Sequence, residues 1–227
     1  MLMKAWIAGE LLHVGAEARV TAGEWYCLPA VHKQRQSRLW RHRDLDRKLT
    51  KRRINNEAKL MIKLHRKGVP LPAVYDVDTA TGVMIIEMIE GKPLIEVLAT
   101  RQDHSQLLQG VGRAIRKLHR EAVTHGDLST NNIIITPEGE AILIDLGLAN
   151  QEYEMEGFGI DLHVMHEILR ASHPDVENGM DNVIAGYEAV DDELGKPDSA
   201  AGGRVPDAKT CVKRLQTIKQ RVRYHGG

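Results

Sequence analysis

His125-Gly126-Asp127-Leu128-Ser129-Thr130-Asn131-Asn132, with Asp145-Leu146-Gly147 shortly after it, is the most informative run in this chain. Between them, the apolar segments 133–135 and 141–144 bracket Pro137-Glu138-Gly139, which predicts two short paired strands joined by a turn. That spacing puts Asp127 and Asn132 in one loop and Asp145 at the end of the next strand. Their side chains can then converge on a magnesium-bound phosphate. Asp127 can orient or deprotonate an attacking hydroxyl, and Asn132 and Asp145 offer oxygen ligands to a hard cation. The plainer reading is two polar turns joined by a hairpin. The two motifs together, in their strand context, favour phosphoryl transfer.

Upstream, Ala30-Val31-His32-Lys33 reads as a strand from which Lys33 can reach the α- and β-phosphates of a nucleotide. Glu57, in Asn56-Glu57-Ala58 of the next helix, can hold that lysine in place. Taken alone, the pair is equally readable as an exposed ion pair worth about 0–1 kcal/mol; the downstream motifs favour a catalytic role for both. Gly15-Ala16-Glu17-Ala18 lacks a full glycine pattern, but Gly15 permits a tight turn whose N–H groups can face phosphate. The same four residues also fit a plain turn before a strand. Farther on, main-chain groups of Glu87 and Ile89 can bond an adenine edge, with Ile86 lining the pocket; the side chains can instead serve only the local fold.

These pieces predict an α+β chain with a compact, bilobal, protein-kinase-like fold, a small β-rich N-lobe (1–88), a hinge (89–93), a reduced helical C-lobe (94–207) and a basic helix or tail (208–227). In the N-lobe we expect strands at 11–14, 24–28, 30–33, 73–77 and 83–88. A helix at 45–66 carries Ile54, Ala58, Met61 and His65 on related turns and stops at Gly68. In the C-lobe, Leu107, Val111, Ile115 and Leu118 share an apolar stripe. Further helices are expected at 161–170 and 176–190, and the polar segment 191–206 reads as a loop before the last helix.

The totals of 31 basic and 31 acidic residues exclude a uniformly polybasic chain but hide strong segregation. Residues 33–53 hold ten Lys or Arg against two Asp, and 208–227 hold six basic residues and no acid. Such runs can form a nucleic-acid surface if folding unites them, or simply a solvated helix face and a tail. Cys27 and Cys211 are too few for a disulfide framework, and free thiols are expected. No apolar run approaches the roughly 20 residues of a membrane-spanning helix, so the expectation is a soluble intracellular protein with no membrane partner. The other histidines form no set that suggests zinc or iron, and His125 is expected to hold its loop.

Taken together, the ordered motifs resemble the small atypical Ser/Thr kinase or ATPase subunit of the KEOPS tRNA-modifying complex. The resemblance runs through the segments quoted above and through Trp40-Arg41-His42-Arg43-Asp44-Leu45-Asp46, Asp161-Leu162-His163-Val164 and Ser172-His173-Pro174, covering about residues 10–190. It implies ATP and Mg²⁺ as cofactors, bound between two lobes, and support of threonylcarbamoyladenosine formation in tRNA. It also implies partners: a threonylcarbamoyl-transfer subunit on the larger lobe, small accessory subunits, and tRNA met indirectly or through basic regions. The implied compartment is the cytoplasm, with the nucleus left open. Ser129 stands where ordinary protein kinases carry a phosphate-facing Lys. No Ala-Pro-Glu segment follows Asp145, which argues against a large peptide platform, and the tail lacks the family's dense arginine run. A small-molecule phosphotransferase and a catalytically inactive nucleotide-binding scaffold are the competing readings.

Overall fold

A computed structural model describes residues 5–15, 18–36, 42–100, 103–200 and 203–225. Ala16 and Glu17 of the expected phosphate loop, and Trp40 and Arg41 of the basic run, lie outside the described residues. The chain forms two compact units, Met1–Lys67 with Leu71–Ile89, and Gly68–Pro70 with Glu90–Gly227. The first is β-rich and the second helical, which is the predicted α+β, kinase-like order.

In the first unit, β1 (Trp6–Val14), β2 (Ala18–Trp25) and β3 (Leu28–Arg35) form an antiparallel meander. After α1 (Arg43–Arg66), β4 (Val74–Asp78) and β5 (Val83–Glu87) complete a sheet of order β1-β2-β3-β5-β4. The expected strand at 24–28 is instead broken by a two-residue turn. Tyr26 and Cys27 both have positive φ, 47° and 67°, as the tight hairpin between right-twisted strands requires. Neither residue is a usual turn former, so local sequence did not signal it. Helix α1 has Asp44 and Asp46 in its first turn and Lys63, His65 and Arg66 in its last, complementing the helix dipole. It buries Ile54, Ala58, Met61 and Leu64, while His65 is exposed and its Nδ1 lies 3.0 Å from Leu71 O. Gly68, with φ +76°, ends the helix. Arg43, Arg47, Lys48, Lys51 and Arg52 of the basic run are exposed on α1.

The second unit begins with β6 (Lys92–Pro93), inside the expected hinge, and α2 (Leu94–Leu98). Next come α3 (Ser105–Arg120), β7 (Val123–Thr124), β8 (Ile133–Ile135), β9 (Ala141–Leu143) and β10 (Asn150–Gln151). The unit closes with α4 (Met155–Ser172), α5 (Gly179–Leu194), the short pair β11 (Ser199–Ala200) and β12 (Gly203–Arg204), and α6 (Ala208–His225). Strands β6, β8 and β9 pair antiparallel, and β10 pairs with β7.

Helices α3 and α5 cross at glycines. A Cβ on Gly112 would run into the Val183 carbonyl, and one on Gly186 into the Gln109 carbonyl, so only glycine allows this backbone approach. The close crossing selects the buried stripe Leu108, Val111, Ile115 and Leu118; Leu108 takes the position expected for Leu107, which is half-buried. Helix α4 starts earlier than expected, because Gly157 and Gly159 disguise its first turns. Helix α5 runs past Val190 to Leu194, so residues 191–194 are helical rather than loop. Asp207 caps α6, its Oδ1 accepting from Thr210 N at 2.9 Å.

Candidate functional site

Along β3, side chains at i and i+2 share a face of the sheet. Lys33 and Arg35 therefore point the same way and both meet Glu57 on α1. Lys33 Nζ donates to Glu57 Oε1 at 2.7 Å, and Arg35 Nη2 donates to Oε2 at 2.7 Å. The Glu57 side chain is 3% exposed, so this carboxylate is a buried, charge-assisted tie between strand and helix rather than a surface pair. The expected Lys33–Glu57 contact is present. Arg35 was not anticipated, although the pattern Lys33-x-Arg35 is its signal.

Elsewhere in this unit the predicted nucleotide contacts are only partly available. The Gly15 N–H donates to Ala18 O at 2.9 Å, closing the β1–β2 turn instead of facing outward. The Glu87 N–H donates to Ala73 O at 2.8 Å, and its carboxylate accepts from Ala73 N at 3.0 Å. Glu87 thus ties β5 to the entry of β4, leaving its carbonyl as the group it can offer an adenine edge. Ile89 is half-buried at the end of the unit.

In the second unit the His-Gly-Asp loop is held from below by its own neighbours. Asn132 Nδ2 donates to Asp127 O and to Asp127 Oδ2, both at 2.9 Å, bringing the amide and carboxylate side by side. The Ile144 N–H donates to Asn132 O at 2.9 Å, and His125 Nε2 lies 3.0 Å from Ile144 O. These contacts tie the residue before Asp145 to the loop carrying Asp127 and Asn132. Asp145 then turns left-handed, with φ 61° and ψ 70°, and its Oδ1 accepts from Gly147 N at 3.3 Å. Asp127 and Asp145 are exposed and Asn132 is half-buried. With Nδ2 engaged by Asp127, Asn132 retains its amide oxygen as a hard donor. Two protein oxygens of this kind suit Mg²⁺, which keeps most of its remaining ligands as water and phosphate. Among the described residues, no cluster of three or more His, Cys, Asp or Glu could hold a metal on its own.

The anchor of this loop is a residue that the sequence reading did not place in the site. Asp161, on α4 and 2% exposed, accepts from His125 N at 2.5 Å and from Gly126 N at 2.9 Å. Its Oδ2 also lies 3.2 Å from His119 Nε2. Burial pushes the Asp161 carboxyl up, but the His119 contact and the two main-chain N–H groups outweigh it and hold it below the usual carboxylate range. Burial pushes the His119 imidazole down, favouring the neutral ring. Gly126 has φ +80°, and a Cβ there would strike the Leu148 carbonyl, so this loop position requires glycine. On the other side, Thr130 Oγ1 lies 3.3 Å from Nε2 of the buried His173. The legible signal for His119 was its place one turn beyond Ile115, a polar residue on an apolar stripe.

Comparison with known proteins gives the context. The family model described as RIO domain matches residues 29–171. A Gibberella zeae protein named EKC/KEOPS complex subunit BUD32 is 30% identical, across 94% of this chain and 85% of its own length. KEOPS complex subunit Bud32 of Pyrococcus abyssi is 34% identical, across 78% of this chain and 84% of its own. A Methanothermobacter thermautotrophicus protein, named as a probable bifunctional tRNA threonylcarbamoyladenosine biosynthesis protein, is 34% identical over 95% of this chain but only 36% of its own length. The domain match spans more than half of the chain and the first two alignments cover most of both partners, so this chain belongs to the RIO-domain family of kinase-like proteins that includes the Bud32 subunits of KEOPS complexes.

Proposed function

We propose that this protein is a magnesium-dependent ATPase and atypical serine/threonine kinase that supports threonylcarbamoyladenosine modification of tRNA within a KEOPS assembly. The observation that carries this reading is the Asp127–Asn132 pair, bonded at 2.9 Å beside the left-handed Asp145 turn, in a chain of a kinase-like family. Lys33 binds the phosphates and Glu57 positions it, with Arg35 sharing the same carboxylate. Asn132 and Asp145 would hold Mg²⁺. The ion, when bound, neutralises phosphate charge. Asp127 orients water for hydrolysis or a protein hydroxyl for transfer, so the rate gain comes mainly from geometry and charge placement. The names of the relatives support the assembly and the tRNA process. The exposed basic row on α1 suits contact with RNA phosphates, which would show as a salt-dependent affinity weakened by changing Arg47, Lys48 and Arg52. With tRNA modification as the proposed process, the cytoplasm, with the nucleus, is the proposed compartment.

The test is ATP turnover by the complex reconstituted with its partners and tRNA, comparing wild type with D127A, D145A and K33A. Loss of turnover in all three is expected. Equal, contamination-free turnover in all of them would defeat the mechanism. Intact tRNA modification by assembled complexes of the three variants would establish the scaffold reading instead.

A further inference from the structure

The buried face between α3, α4 and α5 contains a chain of polar groups that the proposed chemistry does not use. Arg116 is 0% exposed. Its Nε and Nη2 donate to Asp191 Oδ1 and Oδ2 at 2.9 and 2.7 Å, and Nη2 also donates to Pro206 O at 2.9 Å. Its Nη1 donates to the Tyr187 hydroxyl at 3.2 Å and approaches Cys211 Sγ at 3.9 Å. The Tyr187 hydroxyl lies 2.8 Å from His119 Nδ1. His119 Nε2 faces Asp161, which holds the His125 and Gly126 N–H groups.

The ends of this chain, together with the strength of the acceptors between them, set the direction of its bonds. A guanidinium can only donate, so the Tyr187 oxygen accepts from Arg116 and must send its own hydrogen elsewhere. Two acceptors are within reach, the Cys211 sulfur and His119 Nδ1. Sulfur is a weak acceptor and Nδ1 lies only 2.8 Å away, so the hydrogen goes to Nδ1, which then carries no proton. At the far end an ionised carboxylate can only accept. The His119 proton then sits on Nε2, directed at Asp161. A doubly protonated ring would set an N–H against the Tyr187 hydrogen and leave that hydrogen only the weak Cys211 sulfur. Tyr187 is 0% exposed and burial pushes its phenol well above the usual range, so it keeps its hydrogen.

We propose that Tyr187 is a positioning residue for the His-Gly-Asp loop: oriented by Arg116, its hydroxyl fixes His119 as a neutral Nε2–H donor that holds Asp161 against the His125 and Gly126 amides. The order of hydrogen bonds stands on donor and acceptor chemistry alone; only its consequence for turnover rests on the proposed phosphotransfer. Because Arg116 also grips Asp191 and the Pro206 carbonyl, the same chain connects α5 and the lead into α6 with the loop.

The test is NMR on the full chain, with ring-¹⁵N histidine and amide hydrogen exchange. In the wild type, His119 should show a protonated Nε2 and a bare, hydrogen-bonded Nδ1, without titrating between about pH 5.5 and 8. Burial first, and then the charges of Arg116 and His125, oppose a second proton on the ring and prevail over Asp161, which favours one through its charge and hydrogen bond. The Tyr187 hydroxyl, which also faces the ring, supplies the hydrogen that Nδ1 accepts. An Nδ1-protonated or titrating His119 overturns the proposal, and this measurement needs no variant. Y187F should speed exchange of the His125 and Gly126 amides about tenfold more than exchange of the Ile115 and Val183 amides. V190A, which removes buried methyl groups one turn away on α5 and no hydroxyl, should move both sets together. If Y187F changes the loop amides only in step with the core, Tyr187 is structural and the proposal fails. A positive exchange result in a protein that never turns over ATP would overturn the phosphotransfer reading and leave this inference intact.

Discussion

Asp191→Asn is the substitution from which the fold has most to lose for the least change in volume. The Asp191 carboxylate receives Arg116 Nε at 2.9 Å and Arg120 Nη1 at 2.7 Å on Oδ1, and Arg116 Nη2 at 2.7 Å and Ala208 N at 2.8 Å on Oδ2. An amide keeps one of those oxygens and turns an NH₂ toward the donors that met the other. It also strips the counter-charge from an arginine that is 0% exposed. Removing one member of a buried ion pair costs about 3–5 kcal/mol. The Asp191 side chain is 10% exposed and Arg120 17%, so some relief by water is available and the lower end, about 3 kcal/mol, is expected. For a chain of this size that corresponds to a fall in Tm of about 6–12 °C.

Urea unfolding followed by far-UV circular dichroism is the suitable assay, because the helices lie mainly in the second unit while the described tryptophans, Trp6 and Trp25, lie in the first. The internal control is Glu193, two residues on. Its pair with Arg113 is equally short, 2.7 Å, but the side chains are 40% and 56% exposed, and E193A should be indistinguishable from wild type. A D191N loss below about 1 kcal/mol, or an E193A loss matching it, would refute the claim that burial rather than bond length sets the worth of these pairs.

Three further outcomes are expected. E57Q keeps the shape of the Lys33–Glu57–Arg35 tie but removes its charge; with one charge-assisted bond worth about 1.5–3 kcal/mol, ATP affinity should fall about tenfold or more, read by nucleotide titration. G126A places a side chain at φ +80° against the Leu148 carbonyl, so it should cost more than about 1 kcal/mol in denaturant unfolding and depress turnover further than that loss explains. Asp207 has its carboxyl lowered to about 2 by the Thr210 side chain and N–H. Because the folded pKa lies below the unfolded one, its contribution is complete above about pH 4 and disappears as pH falls toward 2. The stability difference between wild type and D207A, about 1 kcal/mol from the lost cap, should therefore be flat near neutrality and vanish in acid.

The legibility of the chain depended on how far apart the interacting groups are. Gly68 as a helix stop and the 133–135 and 141–144 hairpin rest on neighbours in sequence, and they appear where composition puts them. Val111, Ile115 and Leu118 of the α3 stripe are buried where their spacing predicts; only its first member differs, because Leu107 and Leu108 are both apolar and the glycine crossing with α5 chooses Leu108. The turn at Tyr26 and Cys27 was hidden because strand pairing imposes positive φ on residues that do not ask for it. Residues 191–194 read as loop because three acids in a row suggest solvent. The first of them instead faces arginines more than 70 positions away, and no local window contains that pairing.

From its own residues this chain announced which chemical groups it owns, their order, and the short loops that carry them, because helix periodicity, turn preference and motif spacing act over a few positions. Folding alone revealed Arg35 beside Glu57, Asp161 under the loop amides, and the direction of the bonds from Arg116 to His119. A buried charge or hydrogen must find its partner wherever the packed backbone brings one, and that condition is written across helices rather than along the chain.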